Sequence, residues 1–234
     1  MFNIRELLRV SAWLMPASRF KNVLLRSMGH DVHPSAVVHS CVVVRVDKIT
    51  MESDSSMWRW NLIKNMRAVN IGAGASIGQL NVISSHPVYK RLYPEGAELT
   101  LEPHSKITSR HQLDCSGSVL MGEYSSMAGH QTRVLSHSVD VRHDVQVAHP
   151  ITIGARSFVG ARCLLLGGSI LPERSVLGAG SVLTKTQDIR PPGLWAGVPA
   201  TLRGPVDGKW FSRTATGTTS VFIPATGETV ENAF

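Results

Sequence analysis

From Ile153 onward an aliphatic or bulky apolar residue falls on every sixth position, as Val159, Leu165, Leu171, Leu177, Leu183, Ile189 and Trp195. A helix repeats its apolar face about every 3.6 residues and a strand every second residue, so this period belongs to neither element alone. Two residues before most of these positions stands a small side chain: Ser157, Cys163, Ser169, Ser175 or Ser181. In an extended chain residues i and i+2 point the same way, so each small and large pair faces one interior. Gly154, Gly160 and Gly178 follow directly, where glycine lets the chain turn. The pattern predicts an all-β solenoid of short strands, whose stacked coils bury an aliphatic column and satisfy the backbone by ladder hydrogen bonds.

The same spacing recurs upstream in shifted frames, through Met51, Met57 and Ile63, then Ile71, Ile77 and Ile83, then Leu101, Ile107 and Leu113. Met121 and Met127 continue it after a slip. Loops leave a repeat scaffold at such slips, and functional residues gather on them. The two largest breaks are residues 84–100 and the stretch from Val134 that carries His137, His143 and His149. Before the solenoid, Ile4, Leu7, Leu8 and Leu14, followed by Phe20, Val23, Leu24 and Leu25, predict two short amphipathic helices broken near Pro16. Their expected role is to cover the open end of the solenoid or a subunit contact, with Arg19, Lys21 and Arg26 also placed to meet anionic lipid. The expected division is 1–30 for the helices, 31–204 for the solenoid and 205–234 for a polar tail, mobile or ordered by a partner, with one strand near Ser220 to Pro224.

Composition narrows the partners. No apolar run approaches the length of a membrane span, and the N-terminal segment lacks the core and cleavage site of a signal peptide. Cys41, Cys115 and Cys163 are too few and scattered for a disulfide framework, which suits a cytoplasmic protein. A net charge of +7 favours an anionic partner. With no zinc finger, aromatic-basic motif or long basic run, nucleic acid is the weakest candidate for it.

The segment PITIGARSFVGARCLLLGGSILPERSVLGAGSVLTKTQDIRPPGLWAGVPATLRG closely resembles the end of the hexapeptide-repeat O-acetyltransferases, the family that includes maltose, galactoside and colanic-acid-type enzymes. The resemblance implies a left-handed parallel β-helix, a homotrimer with sites between subunits, and acetyl-coenzyme A as donor to a hydroxyl of a sugar, glycan precursor or glycosylated small molecule. It further implies that His137, in VLSHS, is the general base that deprotonates the acceptor. Ser136 stands where relatives often carry glycine. By motif, the pantetheine arm would meet Ala161 and Ala179, its nucleotide end Thr184 and Lys185, and its phosphates Arg203.

Other residues carry weaker expectations. His111 occupies an interior small-residue slot, where a bulky polar group requires either a distorted coil or a ring turned into the acceptor cleft, with Asp114 as its neighbour and partner. Asp140 is a candidate to orient an imidazole, whereas His143 and His149 read as loop residues. Cys163 reads as a core thiol, and Trp58 and Trp60 as surface or interface aromatics. No metal is expected, because evenly spaced histidines inside one loop do not supply rigid ligand positions. Two rivals stay open: a zinc-dependent, carbonic anhydrase-like β-helix with histidines shared between subunits, and a non-catalytic scaffold.

Overall fold

The computed structural model describes residues 4–186 and 190–233, with only the backbone given for Ile4 and Arg5. Ile189 of the repeat lies outside the described residues. From Asp31 to Ala196 the chain winds as a parallel β-helix with three faces, made among the described residues of seven, eight and seven strands, and Thr201–Gly204 folds back antiparallel on Leu194–Ala196 as a ninth strand of the second face. The first face contains Lys48–Met51, the second Ser56–Met57 and the third Leu62–Lys64. Each coil adds one strand to each face, and adjacent coils lie about 4.8 Å apart.

The stacking registers explain the period of six. On the first face Met51 pairs with Ile71, Ile71 with Leu101, Leu101 with Met121, Met121 with Ile153 and Ile153 with Leu171. All six are essentially inaccessible, as are the corresponding residues Ile63, Ile83, Leu113 and Leu165 on the third face. At about 25 cal/mol per Å² of apolar surface removed from water, this column dominates stabilisation.

The frame after Met127 differs from the expected one. The next inward residue is Val134, seven positions on and fully buried, so the coil closes before the histidine stretch begins. The extra residue lies in the corner that turns from the second face to the third, where Thr132 points inward.

That corner holds a polar ladder inside the core. Asn61 Oδ1 accepts from Asn81 N at 2.9 Å, and Asn81 Oδ1 from His111 N at 2.8 Å. His111 Nδ1 then accepts from Thr132 N, and Thr132 Oγ1 from Cys163 N, each at 3.2 Å. His111 therefore sits buried within this ladder rather than in a distorted coil, and the residue also lines the cavity beside Arg110 on that corner. Its Nε2 meets Thr108 Oγ1 at 2.9 Å, and burial, with a smaller push from His130, lowers its pKa to about 4. Buried polar groups persist where every one has a partner, and this slot supplies one per coil.

Two helices cover the N-terminal end, α1 (Ile4–Leu14) and α2 (Arg19–Ser27), with Ser18 Oγ capping α2 through Lys21 N. Trp13 and Leu25 are buried against the first coil. Lys21 does not face lipid. It is completely buried, and its Nζ donates to the carbonyls of Trp13, Met15 and His39 at 2.8, 2.9 and 2.9 Å. Burial lowers its pKa to about 8. Leu7, Leu8, Phe20 and Val23 remain exposed on the outward side. No described helix is long and apolar enough to cross a membrane.

The C-terminal segment is more ordered than its composition implies. A 3-10 turn at Lys209–Ser212 buries Phe211, and the following residues run back along the corner between the first and second faces. Trp210 Nε1 donates to Arg156 O, Arg213 to Tyr124 O, Tyr124 Oη to Thr214 O, and Thr216 Oγ1 lies 2.9 Å from His104 Nδ1. The expected single strand is instead a hairpin of Val221–Ile223 with Glu228–Val230, because a lone edge strand would leave its backbone groups unpaired.

Candidate active site

Both long insertions leave the corner that turns from the third face to the first. One carries α3 (Pro87–Leu92), with His86 as its N-cap. The other is an antiparallel hairpin of His137–Asp140 with Val145–Ala148. Arg67 holds α3 against the solenoid by donating to Lys90 O at 2.8 Å and Tyr93 O at 2.7 Å, and Lys90 pairs with Asp47 at 2.5 Å.

His137 stands at the foot of the hairpin, a strand rather than the expected loop, and its Nδ1 lies 2.7 Å from Asp114 Oδ2. The same oxygen accepts from His137 N and from Ser136 Oγ, both at 2.9 Å. Asp114 Oδ1 accepts from Ser116 Oγ at 2.6 Å and Ser116 N at 3.2 Å. Burial works to raise the carboxyl's pKa, but the bonds from Ser116 and His137 outweigh it and hold Asp114 below the usual carboxylate range. An ionised Asp114 keeps the proton on Nδ1 and leaves Nε2 as the basic nitrogen. Ser136, in place of glycine, also accepts from Gly117 N at 2.9 Å and so braces the hairpin.

The expected partnerships change accordingly. Asp114 belongs to His137 and not to His111, which the ladder retains in the core. Asp140 lies at the hairpin's far end, where its Oδ2 is 2.8 Å from His143 Nδ1, so it does not orient His137. His149 closes the hairpin, with Nε2 3.5 Å from Lys185 Nζ; burial and the Lys185 charge lower its pKa. The three regularly spaced histidines thus face three different partners, and no group of three metal-ligating side chains comes together among the described residues.

Lys185, with Thr184, lies on the same corner as His137 but toward the C-terminal coils. Ala161 and Ala179 lie on the corner between the second and third faces, and Arg203 reaches it by donating to Ala196 O. A chain thus presents the five residues on two edges of its third face, not in one cluster. Beside Ala161, Arg110, Arg133 and Arg162 line a cavity of about 590 Å³ that no carboxylate lines. Cys163 is buried, as expected, while Trp58 and Trp60 are exposed.

Sequence reasoning did not select His86, Tyr89, Ser116 or Ser136 for this site. The rings of His86, Tyr89 and His137 form a triangle with centroid separations of 6.3, 6.2 and 5.8 Å. The available signal was register, because Asp114 aligns with Ser84 below it and Leu135 above it. Those alignments put the first break next to the histidine.

Residues 150–185 match the family model described as a hexapeptide repeat of succinyl-transferase. No curated protein sequence matches the chain. Among solved structures, a variant of AntD, an N-acyltransferase from Bacillus cereus, in complex with dTDP-4-amino-4,6-dideoxyglucose and coenzyme A shares 14% identity at a TM-score of 0.52. The likeness covers 80% of this chain and 90% of that one. A second AntD variant, in complex with dTDP and coenzyme A, shares 13% identity over the same shares at a TM-score of 0.51. With three faces of stacked strands and the repeat match over residues 150–185, these likenesses show the left-handed β-helix fold.

Proposed function

We propose that the protein is an acyltransferase that moves an acetyl group from acetyl-coenzyme A to a hydroxyl of a sugar, glycan precursor or glycosylated small molecule, with amines as further acceptors. The observation that carries this reading is the Asp114–His137 pair, which leaves Nε2 basic at the foot of a projecting hairpin. His137 Nε2 takes the acceptor proton as oxygen attacks the thioester carbonyl. The tetrahedral adduct collapses with loss of the carbon–sulfur bond, and the imidazolium returns the proton to the departing thiolate. Base catalysis of this kind contributes roughly 100-fold to 10,000-fold, and alignment of the two substrates supplies much of the remainder.

The pantetheine arm follows Ala161 and Ala179, its anionic end meeting Arg203, while Thr184 and Lys185 approach from the other edge. A donor that touches both edges lies between two copies of the chain, which favours the homotrimer. The Arg110, Arg133 and Arg162 cavity adds positive charge where polyanionic substrates would approach. A cytoplasmic enzyme with acetyl-coenzyme A at hand fits this scheme, and the exposed Leu7, Leu8, Phe20 and Val23 would allow contact with a membrane that carries a lipid-linked acceptor.

The test is thiol release from acetyl-coenzyme A by the purified protein against sugars, sugar nucleotides and their amino analogues. Turnover that falls at least about 100-fold in His137→Ala, with coenzyme A binding retained, supports the reading. Wild-type turnover in that variant overturns the base assignment.

A further inference from the structure

The solenoid carries two insertions that meet, and a base on one of them does not by itself require the other. Between them lies a cavity of about 330 Å³ lined by His86, Val88, Tyr89 and Leu92 from the first insertion and Gln146 from the hairpin. It adjoins His137 through the triangle of rings that His137 forms with His86 and Tyr89. The Tyr89 hydroxyl is buried and has no hydrogen-bond partner among the described residues. Burial, with the Asp114 charge, raises the Tyr89 pKa, so the phenol keeps its proton and is a donor without an acceptor. A buried donor left unmatched costs about 1–3 kcal/mol, and such groups persist where a ligand completes them.

The cavity also has a side. Along this corner the order of coils is the one bearing α3, then Asp114, then His137, then Lys185. The residues assigned to the donor lie beyond His137 toward the C terminus, and the cavity lies before it. A general base acts between its two substrates, so the space opposite the donor belongs to the acceptor.

We infer that this cavity is the acceptor subsite, that Tyr89 donates a hydrogen bond to the bound acceptor, and that Val88 and Leu92 select a sugar with a hydrocarbon edge, a deoxysugar. The inference rests on the acyltransfer reading. Apolar walls reward a methyl group where a hydroxymethyl would have to shed water without a polar partner. His86 is fixed in the wall because its N donates to Ser116 Oγ at 2.9 Å, the hydroxyl that also donates to Asp114. Binding in the cavity and orientation of the base are thus mechanically joined.

The experiment is calorimetric titration of the full chain with dTDP-4-amino-4,6-dideoxyglucose and with its 6-hydroxy counterpart, each in the presence of coenzyme A. The 6-deoxy compound is expected to bind at least tenfold more tightly. Tyr89→Phe should weaken it about tenfold, Leu92→Asn should abolish the preference, and both variants should keep the coenzyme A affinity of the wild type. Equal binding of the two compounds, unchanged affinity in Tyr89→Phe, or no binding of either while coenzyme A still binds, overturns the subsite and leaves the acyltransfer reading standing. Absence of coenzyme A binding by the wild type instead removes the reading beneath it.

Discussion

His137 Nδ1 and Asp114 Oδ2 lie 2.7 Å apart although 23 positions separate the residues, because they close successive coils at one corner of the solenoid. Stacking converts a distance along the chain into one coil rise. Asp114 then accepts both the backbone and the ring N–H of His137, which fixes where the ring stands as well as which nitrogen is basic.

Asp114→Asn keeps the shape of the side chain but offers an amide that can donate to Nδ1 and move the proton to Nε2. The expected outcome is a loss of about 100-fold in kcat with little change in coenzyme A affinity. Steady-state kinetics taken alongside check the role, since a residue that only orients the base should lower kcat and leave the KM for acetyl-coenzyme A nearly unchanged.

Gly117 lies under the returning foot of the hairpin, where an added Cβ would stand 2.6 Å from His149 N and press on its carbonyl too. No side chain can yield there, because the obstruction is backbone. Gly117→Ala should displace the His149 end of the hairpin and lower kcat/KM roughly 10-fold to 100-fold while the solenoid stays folded. Circular dichroism and thiol-release kinetics on one preparation separate the two effects.

The pH dependence of stability follows from the core histidines. His30 and His111 have pKa values lowered to about 4, against an ordinary value of 6.5, with burial as the main cause. Between those values the unfolded chain binds the proton and the folded chain does not, so stability is full above about pH 6.5 and falls as the pH drops toward 4. For His111 the loss reaches about 3 kcal/mol at most. His111→Asn, which copies Asn61 and Asn81 of the neighbouring coils, should flatten its share of this dependence. Urea midpoints at steps from pH 4 to 7 measure it.

Trp210 anchors the C-terminal strap, with its ring 5.1 Å from Phe158 and under the Arg213 guanidinium at 3.5 Å. Trp210→Ala should free the strap at a cost of about 2 kcal/mol and leave the coils intact. Trypsin would then cut at Arg213 well before the solenoid, whereas equal cleavage rates for variant and parent would contradict the anchoring role.

Much of the fold and part of the site are legible in the amino-acid sequence. Counting sixes finds the inward positions from Met51 to Trp195, and those that fall among the described residues are buried. The resemblance of its motif singles out His137. The frame breaks at Val134, however, because one extra residue in a corner defeats a fixed period while leaving the stacking intact. His111 escapes the pattern for a related reason: its slot looks small, yet the corner stacks polar side chains that accept one another's backbone N–H groups.

The sequence alone determined the solenoid, since a period of six with small and large residues on one side is satisfied only when coils stack and share an interior. It also marked where the chain leaves the coils. Tertiary structure decided what those departures do, because Asp114, Tyr89 and His137 are remote along the chain and meet only through coil register. Charge and composition gave no sign that Lys21 would be enclosed by three carbonyls or that Trp210 would fasten the tail. Both outcomes depend on which surfaces the stacked coils present, a property of the assembled solenoid and not of any local stretch.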